Sequence, residues 1–306
     1  MMMKYVYLSG FPKIFLTMTG LHLDEFDDLV SAVWPRYQAA ELARLSRPDR
    51  QRDIGGGDPA DLSMRDQALL TVIGLRQYPT PDVLGYFFGV SQATVSRYVK
   101  QVLPILEQEG RAGLRRPDPG RKRRRKLDEW LKDMPDIMVV IDSFEHKVQR
   151  PKDPTERDDW SSGKKKTHTI QGPVAVDEET GEIVDIPEST PGPTADIKRL
   201  EESKWLEKLP DGVGGMGDSG YQGLAKLHAQ GYSPRKKPRG TDRPLEDVAY
   251  NTAFSRRRIV VENTNNRIRR YQSLTQTDRN HRQHHTPRVR AVAGWVNRQI
   301  RSRLVA

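Results

Sequence analysis

The pattern of apolar and polar residues changes its period near residue 136. Before that point, apolar side chains recur at helical spacing, and the first such stripe predicts a helix over 21–47. The residues of that stripe are Leu23, Phe26, Leu29, Val30 and Val33. A second amphipathic helix is predicted to begin at Ser63 and to end before Pro79. The first third of the chain is therefore expected to be all helical.

Residues 82–103 have the pattern of a helix-turn-helix. A short helix over 82–88 is followed by a tight turn and a second helix over 92–103, with Ser91 as its N-cap. The exposed positions at the start of a second helix of this kind reach base edges or phosphates. The predicted DNA contacts here are Gln92, Thr94, Ser96 and Arg97. A plain helical hairpin that does not touch DNA is the alternative.

After residue 136 the pattern favours strands, followed by helices that cover a mixed sheet. Residues 137–141 form a continuous branched apolar run, which is typical of a buried strand. Residues 167–176 and 182–186 alternate in polarity around a turn, which predicts a hairpin. Later segments predict a short strand over 213–216 and helices over 195–206, 223–230, 245–271 and 288–304. These elements make an α/β domain.

Charge is concentrated in two blocks. The 51 Lys and Arg residues against 41 Asp and Glu give a net charge of +10. Residues 111–126 carry +8 and residues 256–306 carry +11, which leaves −9 for the rest of the chain. This segregation fits binding to a phosphate backbone. A solvated basic surface without specificity is the alternative.

Composition and pattern together predict three parts: a helical DNA-binding domain over 1–110, a basic linker over 111–130 and a catalytic domain over 131–306. The linker arginines Arg121, Arg123 and Arg124 are expected to lie along DNA.

The chain has no cysteine, which excludes disulfides, zinc-thiolate sites and thiol nucleophiles. It has no apolar run of the roughly 20 residues that a membrane span needs. We expect a cytoplasmic, nucleoid-associated protein with no membrane partner and no small-molecule cofactor.

Three acidic residues lie in local sequence that suits a site. Asp142 ends the apolar run of the predicted central strand, where ligands bind in α/β sheets. Asp218 lies among glycines, which allow a phosphate to approach the backbone closely. Glu262 follows an apolar triplet and is expected to be at least half buried on a helix. Carboxylates are the ligands that magnesium prefers, and a pair of such ions can drive phosphodiester chemistry.

The helix that carries Glu262 shows a second regularity. Arg258, Glu262 and Arg269 recur at a spacing that puts all three on one face. A carboxylate flanked by two guanidinium groups can hold metal and grip phosphate. An ordinary salt bridge on an exposed helix is the alternative.

From about residue 19 to residue 304 the chain resembles DDE transposases of the insertion-sequence group five and Harbinger-like kind. The matching stretches are 141–145 with 149–151, 162–169, 217–223, 236–240 and 258–262. The resemblance implies an RNase H-like catalytic domain, with Asp142, Asp218 and Glu262 as its catalytic, metal-binding triad. Arg269 and Ser255 stand where relatives carry Lys and Tyr. Where relatives often have His-Asp, only Asp196 remains.

The resemblance also implies an activity. Such a protein binds the terminal inverted repeats of its insertion sequence, hydrolyses the DNA ends and joins the 3′-hydroxyls to target DNA. It uses two Mg²⁺ ions, for which Mn²⁺ can substitute, and it acts as a homodimer or a larger synaptic complex. The alternatives are a domesticated transposase-derived DNA-binding protein and a stand-alone nuclease.

The sequence also predicts the surroundings of three lysines, one glutamate and three histidines. Lys164, Lys165 and Lys166, in a loop next to the predicted site, are expected to touch DNA, with a charged hairpin tip as the alternative. Glu145 is expected on the strand after that of Asp142. The group of His281, His284 and His285 is expected to meet DNA or solvent rather than metal.

Overall fold

The computed structural model describes residues 3–46, 60–123, 127–163 and 165–305. In this part of the chain the α-helices are α1 (Tyr5–Leu8), α2 (Pro12–Thr19), α3 (Leu23–Leu45), α4 (Met64–Gln77), α5 (Pro81–Phe88), α6 (Gln92–Ala112), α7 (Pro154–Trp160), α8 (Asp196–Ser203), α9 (Leu224–Leu227), α10 (Leu245–Ile268) and α11 (His285–Val305). The strands are β1 (Ile137–Lys147), β2 (Ser161–Ser162), β3 (Thr167–Asp177), β4 (Ile183–Asp185), β5 (Thr190–Pro191), β6 (Val213–Gly217) and β7 (Gly231–Tyr232). The predicted change from helices to strands near residue 136 is confirmed. Within these described ranges, no helix is both long and apolar enough to cross a membrane.

Hydroxyl side chains fix the starts of α4, α5 and α6. Ser63, Thr80 and Ser91 each accept a hydrogen bond from a backbone N–H in the first turn of the helix that follows. Gly89, with φ of 69°, ends α5 in the left-handed conformation and lets the chain turn into α6. The predicted helix-turn-helix is therefore present, with α5 and α6 as its two helices.

Helix α6 is longer than the sequence pattern predicted. It continues past residue 103, through Pro104, and reaches Ala112 inside the predicted linker. The reason is that its apolar stripe continues, since Ile105 and Leu106 are buried in the core. The start of the basic segment is thus rigid helix.

The sheet is built around β1. This strand runs antiparallel to β3, with Asp142 opposite Val174, and parallel to β6, with Ile141 opposite Gly217. Strand β4 pairs antiparallel with β3, and β7 pairs parallel with β6. The order β4-β3-β1-β6-β7, with these directions, is that of the RNase H-like fold. The predicted fold class, an RNase H-like α/β domain after an all-α helix-turn-helix region, is confirmed.

Side chains of β1 alternate between two cores, as expected for a strand covered on both faces. Met138, Val140 and Phe144 join the core that contains residues of α10 and α11. Ile137, Val139 and Ile141 join a smaller core with residues of α8 and the chain around Trp205. Asp142 and Ser143 consequently point to opposite faces of the sheet.

Helix α11 packs along α6 and ties the N-terminal helices to the sheet. The two helices are in close contact at Gly110 and Gly294, where a Cβ on either glycine would overlap backbone atoms of the other helix. Buried residues of α3, α4 and α6 belong to the same hydrophobic core as those of α11 and β1. The N-terminal helices are thus packed onto the sheet domain.

Candidate active site

Asp142 lies in the middle of β1, and its side chain is 21% exposed. Its Oδ2 accepts a hydrogen bond of 2.9 Å from Nδ2 of Asn265, and its Oδ1 is 3.9 Å from Nη2 of Arg258. Both partners belong to α10, so this helix closes over the carboxylate. Burial raises the pKa of the Asp142 carboxyl, against the effects of a backbone hydrogen bond from Ser143 and of the Arg258 charge.

Asp218 lies at the end of the neighbouring strand. It directly follows Gly217, which pairs with Ile141, so the parallel register brings Asp218 beside Asp142. Its Oδ1 accepts a hydrogen bond of 2.8 Å from the N–H of Gly220, which fixes the turn after β6. The negative charge of Asp218 also raises the pKa of Asp142. The structure therefore brings two of the three predicted acids together.

The observed environment of Glu262 differs from the expected one. It was expected to be at least half buried, and that prediction is wrong, because its side chain is exposed. It lines a groove of about 500 Å³ on the outer side of α10, together with Arg243, Ser255 and Arg256. The buried positions in this part of α10 are Val261, Thr264 and Asn265. The helix is rotated so that Asn265, rather than Glu262, contacts Asp142.

The other residues predicted on the face of Glu262 differ in exposure. Arg258 is 14% exposed, and its Nε is buried without a hydrogen-bond partner among the described residues. Arg269 is exposed and follows the last residue of α10 as its C-cap. Arg258 therefore lies at the Asp142 carboxylate, whereas Arg269 lies at the end of the helix.

Glu145 lies on β1 itself, three residues after Asp142, so its predicted position on the next strand is wrong. Strand β1 is longer than its apolar run because polar residues continue the pairing with β3. Oε2 of Glu145 accepts hydrogen bonds from Ser162 Oγ at 2.7 Å and Thr169 Oγ1 at 3.2 Å. Glu145 thus anchors the loop that carries the predicted lysine contacts.

In that loop, Lys165 and Lys166 are exposed, and Lys166 adopts a left-handed conformation with φ of 53°. Lys164 lies outside the described residues.

In the helix-turn-helix, the predicted contacts separate into two groups. Gln92, Ser96 and Arg97 are exposed on α6. Thr94 is only 6% exposed, and its hydroxyl is 3.0 Å from Ser91 Oγ and accepts a hydrogen bond of 2.9 Å from Arg97. Thr94 therefore belongs to the cap of α6 and not to its exposed face, which corrects the prediction for this residue.

The linker arginines are paired with acids at the end of β3 and in the turn that follows it. Arg121 contacts Asp177 at 2.9 Å, and Arg123 contacts Glu178 at 3.3 Å. Arg123 is only 8% exposed, so it is not laid out along the surface as expected. Because these acids lie beside the linker in the fold, their carboxylates form ion pairs with the guanidinium groups. Arg124 lies outside the described residues.

The three histidines differ in burial. His285 is the first residue of α11 and is fully buried, with Nε2 3.1 Å from Nδ1 of His146. Its expected contact with solvent or DNA is therefore wrong. The sequence offers no local signal for this contact, because the two histidines are 139 residues apart.

A hard divalent cation fits the Asp142–Asp218 pair, since the donors are carboxylate oxygens. Oδ1 of Asn265 is buried beside Asp142 without a hydrogen-bond partner in the described residues, and an amide oxygen is a further donor that a hard cation accepts. Nε of Arg258 is likewise buried without a partner there, and its N–H requires an acceptor such as a phosphate oxygen. In the same described ranges, no three His, Cys, Asp or Glu side chains converge closely enough to hold a metal ion. Glu262 is thus not assembled with the two aspartates in this structure.

The strand order and the paired carboxylates define an RNase H-like protein with an acidic site at its central strands. A family model described as DDE superfamily endonuclease matches residues 141–297, slightly more than half of the chain. A model described as helix-turn-helix of DDE superfamily endonuclease matches residues 60–112. The chain belongs to the DDE superfamily endonucleases, which confirms the resemblance inferred from its motifs. Endonucleases of this superfamily generally use divalent metal ions.

Individual relatives are more distant. The chain is 27% identical over 288 residues, 94% of both chains, to a probable transposase for insertion sequence element IS702 of Microchaete diplosiphon. A Mos1 transposase paired-end complex with left transposon end is 14% identical, with 63% of this chain and 64% of that chain covered and a TM-score of 0.18. A pre-cleavage Mos1 transpososome is 12% identical, with 86% and 84% covered and a TM-score of 0.18.

Proposed function

We propose that this protein is a DNA transposase that binds the terminal inverted repeats of its insertion sequence, cleaves the ends and joins the 3′-hydroxyls to target DNA. The observation that carries the proposal is the neighbouring position of Asp142 on β1 and Asp218 directly after β6, since Ile141 and Gly217 pair in the parallel register of an RNase H-like sheet. Membership of the DDE superfamily endonucleases and the helix-turn-helix support it.

In this proposal Asp142 and Asp218 hold divalent cations. Glu262, which is exposed on α10 and apart from them in this structure, completes the ligand set after α10 changes its position. The cofactor is Mg²⁺, as two ions for which Mn²⁺ can substitute; when bound, it supplies activation of water and stabilisation of the leaving oxygen. Arg258 offsets negative charge at Asp142 and is suited to grip a phosphate of the DNA end. Arg269 and Lys165 are further candidates for phosphate contacts.

DNA binding is assigned to residues 1–110 and catalysis to residues 131–306, with the basic segment between them. Gln92, Ser96 and Arg97 are the proposed contacts of the helix-turn-helix because they are exposed at the start of α6. A homodimer or a larger synaptic complex is proposed because two element ends must be brought together before they are joined.

The test uses purified full-length protein, labelled DNA that carries the ends of its element, and either Mg²⁺ or EDTA. We expect Mg²⁺-dependent nicking at the end boundary and joined products, both abolished in Asp142→Asn and retained in the exposed control Asp211→Asn. Mg²⁺-dependent cleavage by Asp142→Asn would refute the proposed site. Cleavage without joined product would favour a stand-alone nuclease. Tight binding without cleavage in Mg²⁺ or Mn²⁺ would favour a domesticated DNA-binding protein.

A further inference from the structure

Asp196, which lies outside the proposed triad, is the first residue of α8 and connects this helix to the sheet. Its Oδ1 accepts a hydrogen bond of 2.7 Å from Ser143 Oγ and one of 2.6 Å from Gln171 Nε2. Ser143 directly follows Asp142 on β1, and Gln171 lies on the adjacent β3. One carboxylate oxygen therefore joins α8 to both strands beside the candidate site.

A buried arginine completes this arrangement. Arg199 is 7% exposed and contacts Gln171, the backbone carbonyl of Thr194 and, at 3.4 Å, Oδ1 of Asp196. Because a buried guanidinium with several acceptors is held in one geometry, it fixes Gln171 and Asp196 relative to each other. The network is thus rigid on the side of α8.

The second oxygen of Asp196 approaches the turn that carries Asp218. A Cβ built on Gly220 would lie 2.9 Å from Asp196 Oδ2 and 3.1 Å from Asp218 Oδ1. The N–H of Gly220 is also the group that holds Asp218 Oδ1. The carboxylates of Asp196 and Asp218 therefore both lie close to Gly220, where a larger side chain would crowd them.

A merely local role for Asp196, as a negative charge at a helix N-terminus, does not account for these contacts. Its hydrogen bonds run to β1 and β3, and its second oxygen faces the turn after β6. These are the strands that carry, or pair with, the two aspartates of the proposed site.

We propose that Asp196 is a positioning residue that fixes the middle of β1 relative to the turn after β6, so that Asp142 and Asp218 are held together for a divalent cation. It acts on Asp142 through Ser143 and on Asp218 through the packing at Gly220. This proposal rests on the proposed function, because it concerns the same metal-binding carboxylates.

The test measures Mn²⁺ binding to the full-length protein without DNA, by the loss of the free-ion electron paramagnetic resonance signal. Asp196→Asn keeps the shape of the side chain but removes its charge and one acceptor oxygen. We expect its affinity for Mn²⁺ to fall about 10–100-fold, as for other residues that orient metal ligands. Glu201→Gln, at an exposed position on the same helix, is the matched control and is expected to bind as the wild type does.

Two further variants separate positioning from a loss of folding. Ser143→Ala removes one hydrogen-bond donor to Asp196 and is expected to weaken Mn²⁺ binding. In the double variant with Asp196→Asn it is expected to cause little further loss of affinity, because both substitutions act on one contact. The thermal unfolding midpoint of each variant is measured alongside, and binding is compared well below it. If Asp196→Asn does not fold, Ser143→Ala alone decides the question.

The outcomes are distinct. If Asp196→Asn folds and binds Mn²⁺ with wild-type affinity, the positioning role is overturned and the proposed function remains intact. If Asp196→Asn does not fold, wild-type affinity of Ser143→Ala for Mn²⁺ has the same meaning. An equal loss in Glu201→Gln would also overturn it. No Mn²⁺ binding by the wild type, or binding that Asp142→Asn leaves unchanged, would refute the metal site of the proposed function, and the role of Asp196 would fall with it.

Discussion

Asn265 donates a hydrogen bond of 2.9 Å from Nδ2 to Oδ2 of Asp142, across 123 residues of sequence. It is 5% exposed, and it is the residue of α10 that meets the predicted catalytic carboxylate, three positions after Glu262. Because a buried carboxylate is costly without a donor, this contact ties the rotation of α10 about its axis to the site.

We predict that Asn265→Ala destabilises the protein by about 1–3 kcal/mol, since the substitution leaves the buried Asp142 without its side-chain donor. The free energy of unfolding is measured with urea near neutral pH. Asn263→Ala, two residues earlier on the exposed side of α10, is the matched control and should change stability little. If both variants unfold at the same urea concentration, the hydrogen bond does not contribute as inferred.

Gly294 provides a second prediction, because its Cα lies against Gly110 where α11 crosses α6. A methyl group there has no room, so Gly294→Ala must separate the two helices and is expected to cost about 1–3 kcal/mol or more. Thermal unfolding is compared with that of Gly163→Ala, at a glycine with no atom within 4 Å of the added carbon. Equal melting temperatures would contradict the close crossing.

The sequence predicts best what depends on neighbouring residues. The apolar run before Asp142 identified the central strand, and Ser91 identified the start of α6, because strand burial and helix capping are local. The burial of Glu262 was predicted from the apolar triplet before it, yet Ile259 of that triplet is 49% exposed. Tertiary packing sets which face of α10 meets the sheet, and the triplet carries no information about it.

The linker shows the same limit. A run of basic residues indicates affinity for phosphate, but Arg121 and Arg123 meet the acids Asp177 and Glu178 in the fold. These partners lie more than fifty residues away, so their pairing appears only once β3 and β4 are in place. The contact of Asn265 with Asp142 and the contacts of Asp196 with Ser143 and Gln171 were missed for the same reason, since these partners are brought together by the sheet.

The buried histidine pair predicts a dependence of stability on pH. Burial lowers the pKa of both His146 and His285, that of His285 to well below its ordinary value, and the charge of Arg288 lowers both further. Asp278 opposes this effect at both rings, and the carbonyl oxygen of Gln276 opposes it at His146. Because the folded pKa is below the unfolded one, the stability due to neutral histidine is complete above about pH 6.5 and is lost as the pH falls.

We therefore expect the melting temperature of the wild type to fall as the pH is lowered from about 7.5 to about 5.5. Each proton taken up on unfolding lowers the free energy of unfolding by up to about 1.4 kcal/mol per pH unit. The fall should be smaller in His285→Gln, which removes one of the two groups. His281→Gln, at an exposed position, serves as control. The same slope in His285→Gln and the wild type would contradict the assignment.

The exposed start of α6 predicts which residues of the helix-turn-helix read DNA. Gln92 is exposed in the first turn, where an amide can pair with a base edge, whereas the hydroxyl of Thr94 is occupied by Ser91 and Arg97. We expect Gln92→Ala to reduce discrimination between end DNA and unrelated DNA by about 1–3 kcal/mol at fixed salt, as measured by competition binding. Gln108→Ala removes the same side chain at an exposed position near the other end of α6 and should bind as the wild type does. Equal discrimination in the two variants would place sequence recognition outside this part of α6.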